Sequence, residues 1–410
     1  MNVRLTPCAP HGAVQAPASK SAAHRLLICA ALAKSPSVLR IADTNDDMEA
    51  TVRCLRALGV SIEKQDAAWS VTPPAKWNDN VLLDCGESGS TLRFLLPVVA
   101  SLGAEAVFTG RGRLPERPND ALLEEMKRHG VFVEPGFPIR IGGRLEPGDY
   151  AISGAVSSQY ATGLLLALAH LEQPSTLTLL PPIVSAPYLS VTLDVLRRFG
   201  AQIAQSDNVY TISPAALRGG AFAAEGDWSG AAALLACGFR VGGLDPQSAQ
   251  GDRRFPAIMA ACGARVLQED GTFQLDCSAL RGTEIDAGDV PDLVPVLAAL
   301  LATAAGESRI TNAQNLRHKE SDRLAATTAL LCALGADVRE TADGLLIRGK
   351  PLLSGGTADS ANDHRIVMAA AVAAQKCSAP VIVRNAQAIN KSFPTFFNLY
   401  RTQGGAADVQ

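Results

Sequence analysis

A charge excess of either sign is missing from this chain: 37 Lys and Arg stand against 40 Asp and Glu, a formal net charge of −3. Such a balance gives no general attraction to nucleic acid or to anionic membranes, so any anion site must be local. Paired cysteine motifs are missing as well. The nine cysteines (Cys8, Cys29, Cys54, Cys85, Cys237, Cys262, Cys277, Cys332 and Cys377) are scattered and never form C-x-x-C. That argues against a disulfide framework and against a zinc cluster. No apolar run reaches the length of a membrane span, and the longest, such as LVPVLAALLATAA, fall well short. The first residues, MNVRLTPCAPHGAVQ, lack the apolar centre of a signal peptide. A reducing cytoplasm is the expected setting.

What is present is a chain of 410 residues, 47% hydrophobic and 19% charged. The composition is that of a soluble globular protein, and the length is too great for one ordinary core, so two domains are expected. One pattern recurs: a helical segment, a glycine, then a strand-like alternation. The copies are LRALGVSIE, MKRHGVFVE, LRRFGAQIA, MAACGARVL, LCALGADVR and a frayed LYRTQGGAA. Their glycines are Gly59, Gly130, Gly200, Gly263, Gly335 and Gly404, spaced 71, 70, 63, 72 and 69 residues apart. Each reads as a helix ended by glycine, for which positive φ costs nothing, and followed by a strand.

A second series keeps step with the first. Small polar residues at Ser21, Ser90, Ser158, Ser229, Asp292 and Asp363 precede Ala/Leu-rich runs, with spacings of 69, 68, 71, 63 and 71 residues. Two six-membered series in register predict six copies of one α/β unit, each with a buried apolar helix and an amphipathic outer helix. The starts of the buried helices matter for function. Four backbone N–H groups lack partners there, and the helix end attracts anions.

Cations and hydroxyls gather at those same starts. Lys20, Ser21 and Arg25 lie in PASKSAAHR, which lacks the G-x-x-x-x-G-K-[ST] frame of a nucleotide loop. Gly86, Ser88, Gly89, Ser90 and Arg93 lie in CGESGSTLR, and Ser157, Ser158 and Gln159 in AVSSQYATG. Asp363, His364 and Arg365 lie in NDHRIVM; Arg113 and Arg117 in RGRLPERP; Lys391 in NKSFPTFF. The stretch NLRHKESDRL packs Arg317, His318, Lys319, Glu320, Asp322 and Arg323 into ten positions. A solvated helix face would explain any one of these clusters. Their recurrence at repeat starts in a slightly acidic chain points instead to a site for charged small molecules.

PASKSAAHR, GESGSTLR, ERP, VSSQY, PYLSVTLDVLRRFG, VPD, NLRHKESDR, NDHRIVMA and NKSFPTFF occur in that order. Together they closely resemble the 3-phosphoshikimate 1-carboxyvinyltransferase (EPSP synthase) family of enolpyruvyl transferases, from about residue 15 to about residue 398. Two departures stand out: Ala18 where glycine is usual, and GESGS in place of an Asn-Ala-Gly-Thr type of loop, which puts the Glu87 carboxylate near the expected phosphoenolpyruvate site.

The resemblance implies an α/β fold of two domains, each an inside-out barrel of three βαβαββ repeats, with the active site in the interdomain cleft. Residues 1–18 plus 226–410 would form one domain and 19–225 the other. It implies transfer of the enolpyruvyl group of phosphoenolpyruvate to the 5-hydroxyl of shikimate-3-phosphate, with release of phosphate, by a monomer that needs neither metal nor organic cofactor and binds neither nucleic acid nor membrane. Each substrate carries a carboxylate and a phosphate of roughly −1.5 to −2 charge, and buried anions need cationic partners. Carried over by position, Asp292 is the base and Glu320 the proton donor, with Lys20 close to both. Lys20, Ser21, Arg25, Ser157, Ser158, Gln159, Ser185, Asp292, Asn315 and Lys319 match the shikimate-phosphate contacts. Lys20, Gly89, Arg117, Gln159, Arg323, Arg365 and Lys391 match those to phosphoenolpyruvate. Were 319–323 one helical turn, Lys319, Glu320 and Arg323 would share a face. Arg317, Asp322, His318 and His364 are expected to be structural, and Cys85 a buried filler. The sister UDP-N-acetylglucosamine enolpyruvyl transferases share fold and donor, but their loop cysteine and Lys-Asn start are absent here. An RNA 3′-phosphate cyclase-like protein would favour a basic surface.

Overall fold

The recurring glycines all do the same thing. In the computed structural model, which describes residues 1–410, Gly59, Gly130, Gly200, Gly263, Gly335 and Gly404 have φ between +82° and +101°. Each follows the end of an outer helix: Asp46–Ala57, Asp120–Arg128, Pro187–Arg198, Phe255–Ala261, Arg323–Ala333 and Phe396–Thr402. At the first of them Gly59 N–H donates to the Arg56 carbonyl and Val60 N–H to that of Leu55, so the left-handed residue turns the chain and satisfies two helix-end carbonyls. A strand starts one or two residues after each glycine, including Ala406–Val409 after Gly404. The sixth copy is thus a regular member of the series.

The chain divides into two compact units, Ala18–Ala224 and Met1–Pro17 with Glu225–Gln410. Each unit holds three four-stranded sheets of one design. In Val81–Asp84, Ala106–Thr109, Val131–Val133 and Ile139–Gly143, for example, the first two strands run parallel and the last two form a hairpin antiparallel to the second. A helix follows each of the first two strands, which gives the βαβαββ order. In one repeat of each unit the first strand comes from the far side of a chain crossing. Ala221–Ala223 pairs parallel with Ser37–Arg40 in the continuous unit. Ala13–Gln15 pairs parallel with Arg240–Gly242 in the other. Val3–Thr6 lies between Val381–Arg384 and Ala406–Val409.

Six inner helices form the cores, three to a unit: Lys20–Leu32, Gly89–Leu102 and Ser158–Leu168, then Trp228–Ala236, Val294–Leu301 and His364–Ala374. They are apolar on every side, and four of them have almost every residue buried. A helix of that composition must sit inside, so the sheets and amphipathic helices wrap it and each unit is an inside-out α/β barrel. The inner helices of the continuous unit approach closely, because a Cβ on Gly163 would lie 2.2 Å from the Arg93 carbonyl oxygen. No helix is long and apolar enough to cross a membrane.

Candidate active site

In the unit Ala18–Ala224 the three inner helices start alike. Ser19, Ser88 and Ser157 each turn the side-chain oxygen back to accept from a backbone N–H of the first turn, at 3.3, 3.1 and 3.3 Å. A helix start of this kind can receive an anion at the N–H groups left without a partner. Lys20 donates to Asp47 at 2.8 Å. Ser21 contributes its backbone carbonyl, which accepts from Arg25 at 2.6 Å.

Arg25 and Arg117 are buried in this unit and form no ion pair with a carboxylate. Arg25 is 2% exposed. It donates to Thr192 at 2.8 Å, to Thr162 at 3.2 Å and to the Tyr188 carbonyl at 3.1 Å, all neutral acceptors. Burial, unrelieved by any carboxylate, pulls it down to about 10. Arg117 is 6% exposed, and its Nε has no hydrogen-bond partner. It lies flat against Gly89, where a Cβ would stand 2.5 Å from its Nη1. Burying a cation this way is costly unless an anion joins it.

Arg93 organises the surroundings. It donates to Gln159 at 2.8 Å, to Asn119 at 3.0 Å and to the Pro118 carbonyl at 2.8 Å. Gln159 donates in turn to Ser90 at 3.0 Å. Asn119 donates to the Arg117 carbonyl at 3.0 Å, so Arg93 fixes both Gln159 and the loop that carries Arg117. Ser158 opens its helix and is buried. Ser185 is buried with φ +57°, a left-handed conformation that costs a serine energy and fits a functional position. Glu87 packs over Gly112, where a Cβ would meet its carboxylate at 2.5 Å.

In the other unit Arg323 is the centre. It is 1% exposed and reaches three carboxylates: Asp363 and Asp292 at 2.8 Å each and Glu320 at 2.7 Å. Burial works against its charge, but Asp363, Glu320 and Asp292 together win and push its pKa up. Asp292 also accepts from Arg365 at 3.3 Å. Asp363 caps the inner helix His364–Ala374 through Arg365 N–H at 2.9 Å and accepts from Ser321 at 2.9 Å. Lys391, buried, donates to the Asn362 carbonyl at 2.6 Å. Asn315 is buried in the 3-10 turn Gln314–His318, and Lys319 follows in extended conformation.

The stretch 319–323 is therefore not one helical turn. Asp322 is the N-cap of Arg323–Ala333, accepting from Ala325 N–H at 3.1 Å, so Lys319 and Glu320 precede the helix. Capping by Asp breaks the turn that the spacing predicts. Arg317 pairs with Asp322 at 3.2 Å and Glu340 at 2.7 Å, a structural clamp. Cys85 is fully buried, and its thiol is pushed well up, foremost by its hydrogen bond with Cys54, then by burial. It is no nucleophile.

The structure groups Lys20, Ser21, Arg25, Gly89, Arg117, Ser157–Gln159 and Ser185 in one unit. It groups Asp292, Asn315, Lys319, Glu320, Arg323, Arg365 and Lys391 in the other. Sequence reasoning missed Asp47, Thr162, Thr192 and Asn119 as partners, and it picked out Arg93 and Asp363 without giving either a role. For Asp363 and Arg93 a signal existed, since both sit at inner-helix starts. For the threonines there is none, because each lies mid-helix like any small filler.

The sequence profile of the family described as EPSP synthase (3-phosphoshikimate 1-carboxyvinyltransferase) matches residues 7–399. The chain is similar to the 3-phosphoshikimate 1-carboxyvinyltransferase of Clostridium kluyveri, 39% identical over 425 residues that cover 99% of this chain and 98% of that one. It is similar also to that of Clostridium novyi, 36% identical over 427 residues with the same coverage. In fold it resembles the EPSP synthase from Acinetobacter baumannii, with a TM-score of 0.80, 24% identity and coverage of 100% of this chain and 99% of that one.

Proposed function

Since this chain belongs to the EPSP synthase (3-phosphoshikimate 1-carboxyvinyltransferase) family, we propose that it transfers the enolpyruvyl group of phosphoenolpyruvate to the 5-hydroxyl of shikimate-3-phosphate and releases phosphate. The observation that carries the reading is the burial of Arg25, whose acceptors on Thr192, Thr162 and Tyr188 are neutral, and of Arg117, whose Nε has no hydrogen-bond partner. Substrates that each bring a carboxylate and a phosphate supply the missing charge. The relatives from Clostridium kluyveri and Clostridium novyi carry this activity in their names. The reading takes the enzyme to act in the cytoplasm as a monomer.

In this reading Arg25, Ser157, Ser158, Gln159 and Ser185 receive the shikimate phosphate and ring, with Asn315 and Lys319. Arg117, the Gly89 helix end, Arg323, Arg365 and Lys391 receive phosphoenolpyruvate. Asp292 takes the proton of the attacking hydroxyl as the new C–O bond forms, and Glu320 gives a proton to the methylene carbon. The tetrahedral adduct then loses that proton again as its C–O bond to phosphate breaks. Glu320 accepts from Arg323 at 2.7 Å, a pairing that favours the charged carboxylate. A donor anion that draws on Arg323 would loosen this pair and so favour a proton on Glu320. Lys20, drawn from Asp47, stabilises the charge that develops between the two events.

Phosphate release with both substrates, and none when either is left out, is the expected result; release from phosphoenolpyruvate alone would defeat the reading. Gly89→Ala forces the Arg117 guanidinium away from the helix end. It is expected to raise KM for phosphoenolpyruvate by about tenfold or more while KM for shikimate-3-phosphate changes little, as measured by varying each substrate in turn. An unchanged KM for phosphoenolpyruvate would remove Arg117 from that subsite.

A further inference from the structure

Near the start of the inner helix Trp228–Ala236 lies a carboxyl that the reaction as described does not use. Asp252 sits in the 3-10 turn Gly251–Arg254 and is 5% exposed. One oxygen accepts from Ser229, and the other, Oδ1, is shut off from solvent with no hydrogen-bond partner at all. The turn is tied down next to it: Gln250 accepts from Trp228 N–H at 3.0 Å and donates to the Gly226 carbonyl at 2.8 Å. The charged groups that act on Asp252 are Asp292, Asp227 and Arg365. An ionised carboxylate in this place would leave a buried oxygen without a partner, under the repulsion of Asp292, an arrangement that favours keeping a proton.

We propose that Asp252 is a positioning residue that carries a proton in the working enzyme, so that Asp292 meets Arg365 without a second negative charge beside the pair. The inference rests on the reading of Asp292 as the base. Burial first, then the charge of Asp292, pushes Asp252 up to about 7, against the pull of Arg365 and Ser229. Below that pH only Asp292 of the two is ionised, and Arg365 stays free to share itself between Asp292 and the anionic donor. Above it, Asp252 becomes a rival for Arg365, and the donor binds less well.

The sign of the stability effect follows from the same shift. A carboxyl whose folded pKa is raised favours folding while protonated and loses that contribution as pH climbs from the ordinary carboxylate range to about 7. Asp252→Asn, which imitates the protonated form, escapes the loss. Thermal unfolding of wild type and Asp252→Asn from about pH 5 to about pH 8 should show the variant gaining melting temperature relative to wild type, with the gain levelling above about 7. A constant difference across the range would overturn the proposal.

The kinetic arm reads kcat/KM for phosphoenolpyruvate. The ratio of Asp252→Asn to wild type should rise by about tenfold from the acid to the alkaline end, the equivalent of one pKa unit. An equal loss at every pH would mean a merely structural role and would also overturn it. Should Asp252→Asn fail to fold, Ser229→Ala serves in its place. Removing the hydroxyl that favours the carboxylate should move the wild-type inflection upward, and an unmoved inflection refutes the idea. The melting curves need no turnover, so failure of the phosphate-release assay and failure of this inference are told apart.

Discussion

Asp292→Asn is expected to cut kcat by about 10²- to 10⁴-fold, the range of a general base. The amide keeps the shape of the side chain, and its carbonyl can still accept from Arg323 or Arg365, which now hold Asp292 at 2.8 and 3.3 Å. Folding and shikimate-3-phosphate affinity should therefore stay close to wild type, as read by melting temperature and by calorimetry. Phosphate release supplies the rate. Glu320→Gln is expected to behave alike, though it also removes the charge that answers Arg323 at 2.7 Å. Wild-type turnover in either variant would strip that residue of its role.

Arg323→Met should be the most destabilising single change in the site. It removes a buried cation and leaves three carboxylates facing one another, with Asp363 wholly inaccessible. Loss of one member of such a buried cluster costs about 3–5 kcal/mol. Denaturant unfolding should show it as a lowered midpoint with an unchanged slope. Asp363→Asn added to Arg323→Met should recover part of the loss, because the uncompensated charge goes with it. If the double variant is less stable than the single one by the full cost of Asp363→Asn alone, the cluster is not an electrostatic unit.

The architecture was legible because its punctuation is chemical. Six glycines at near-constant spacing had to be left-handed turns, and runs such as VPVLAALL could only be interior. The cations proposed as ligands drew attention for a related reason, since several of them sit near helix starts that already attract anions. What could not be read was which of them the protein itself neutralises. Arg323 and Arg117 look equivalent as letters. In the fold one is saturated by Asp292, Glu320 and Asp363, and the other has no carboxylate within reach. Those partners are distant in sequence, and no local pattern joins residue 323 to 363. The helical turn expected at 319–323 failed on a local competition: Asp322 is a better cap than a first-turn residue. Asp252 escaped notice because GDRRF resembles any charged surface turn, and only its burial sets it apart.

The placement of Val3–Thr6 has a consequence for how the protein is made. The unit Ala18–Ala224 contains all its own strands and can close while the ribosome is still working on the remainder. The other unit cannot. Its first-made strand needs neighbours at Val381–Arg384 and Ala406–Val409. At about 5–20 residues per second those neighbours arrive on the order of tens of seconds later. Through that interval the nascent chain carries an unmatched β-edge, the kind of exposed segment that a chaperone would have to shelter from other newborn chains.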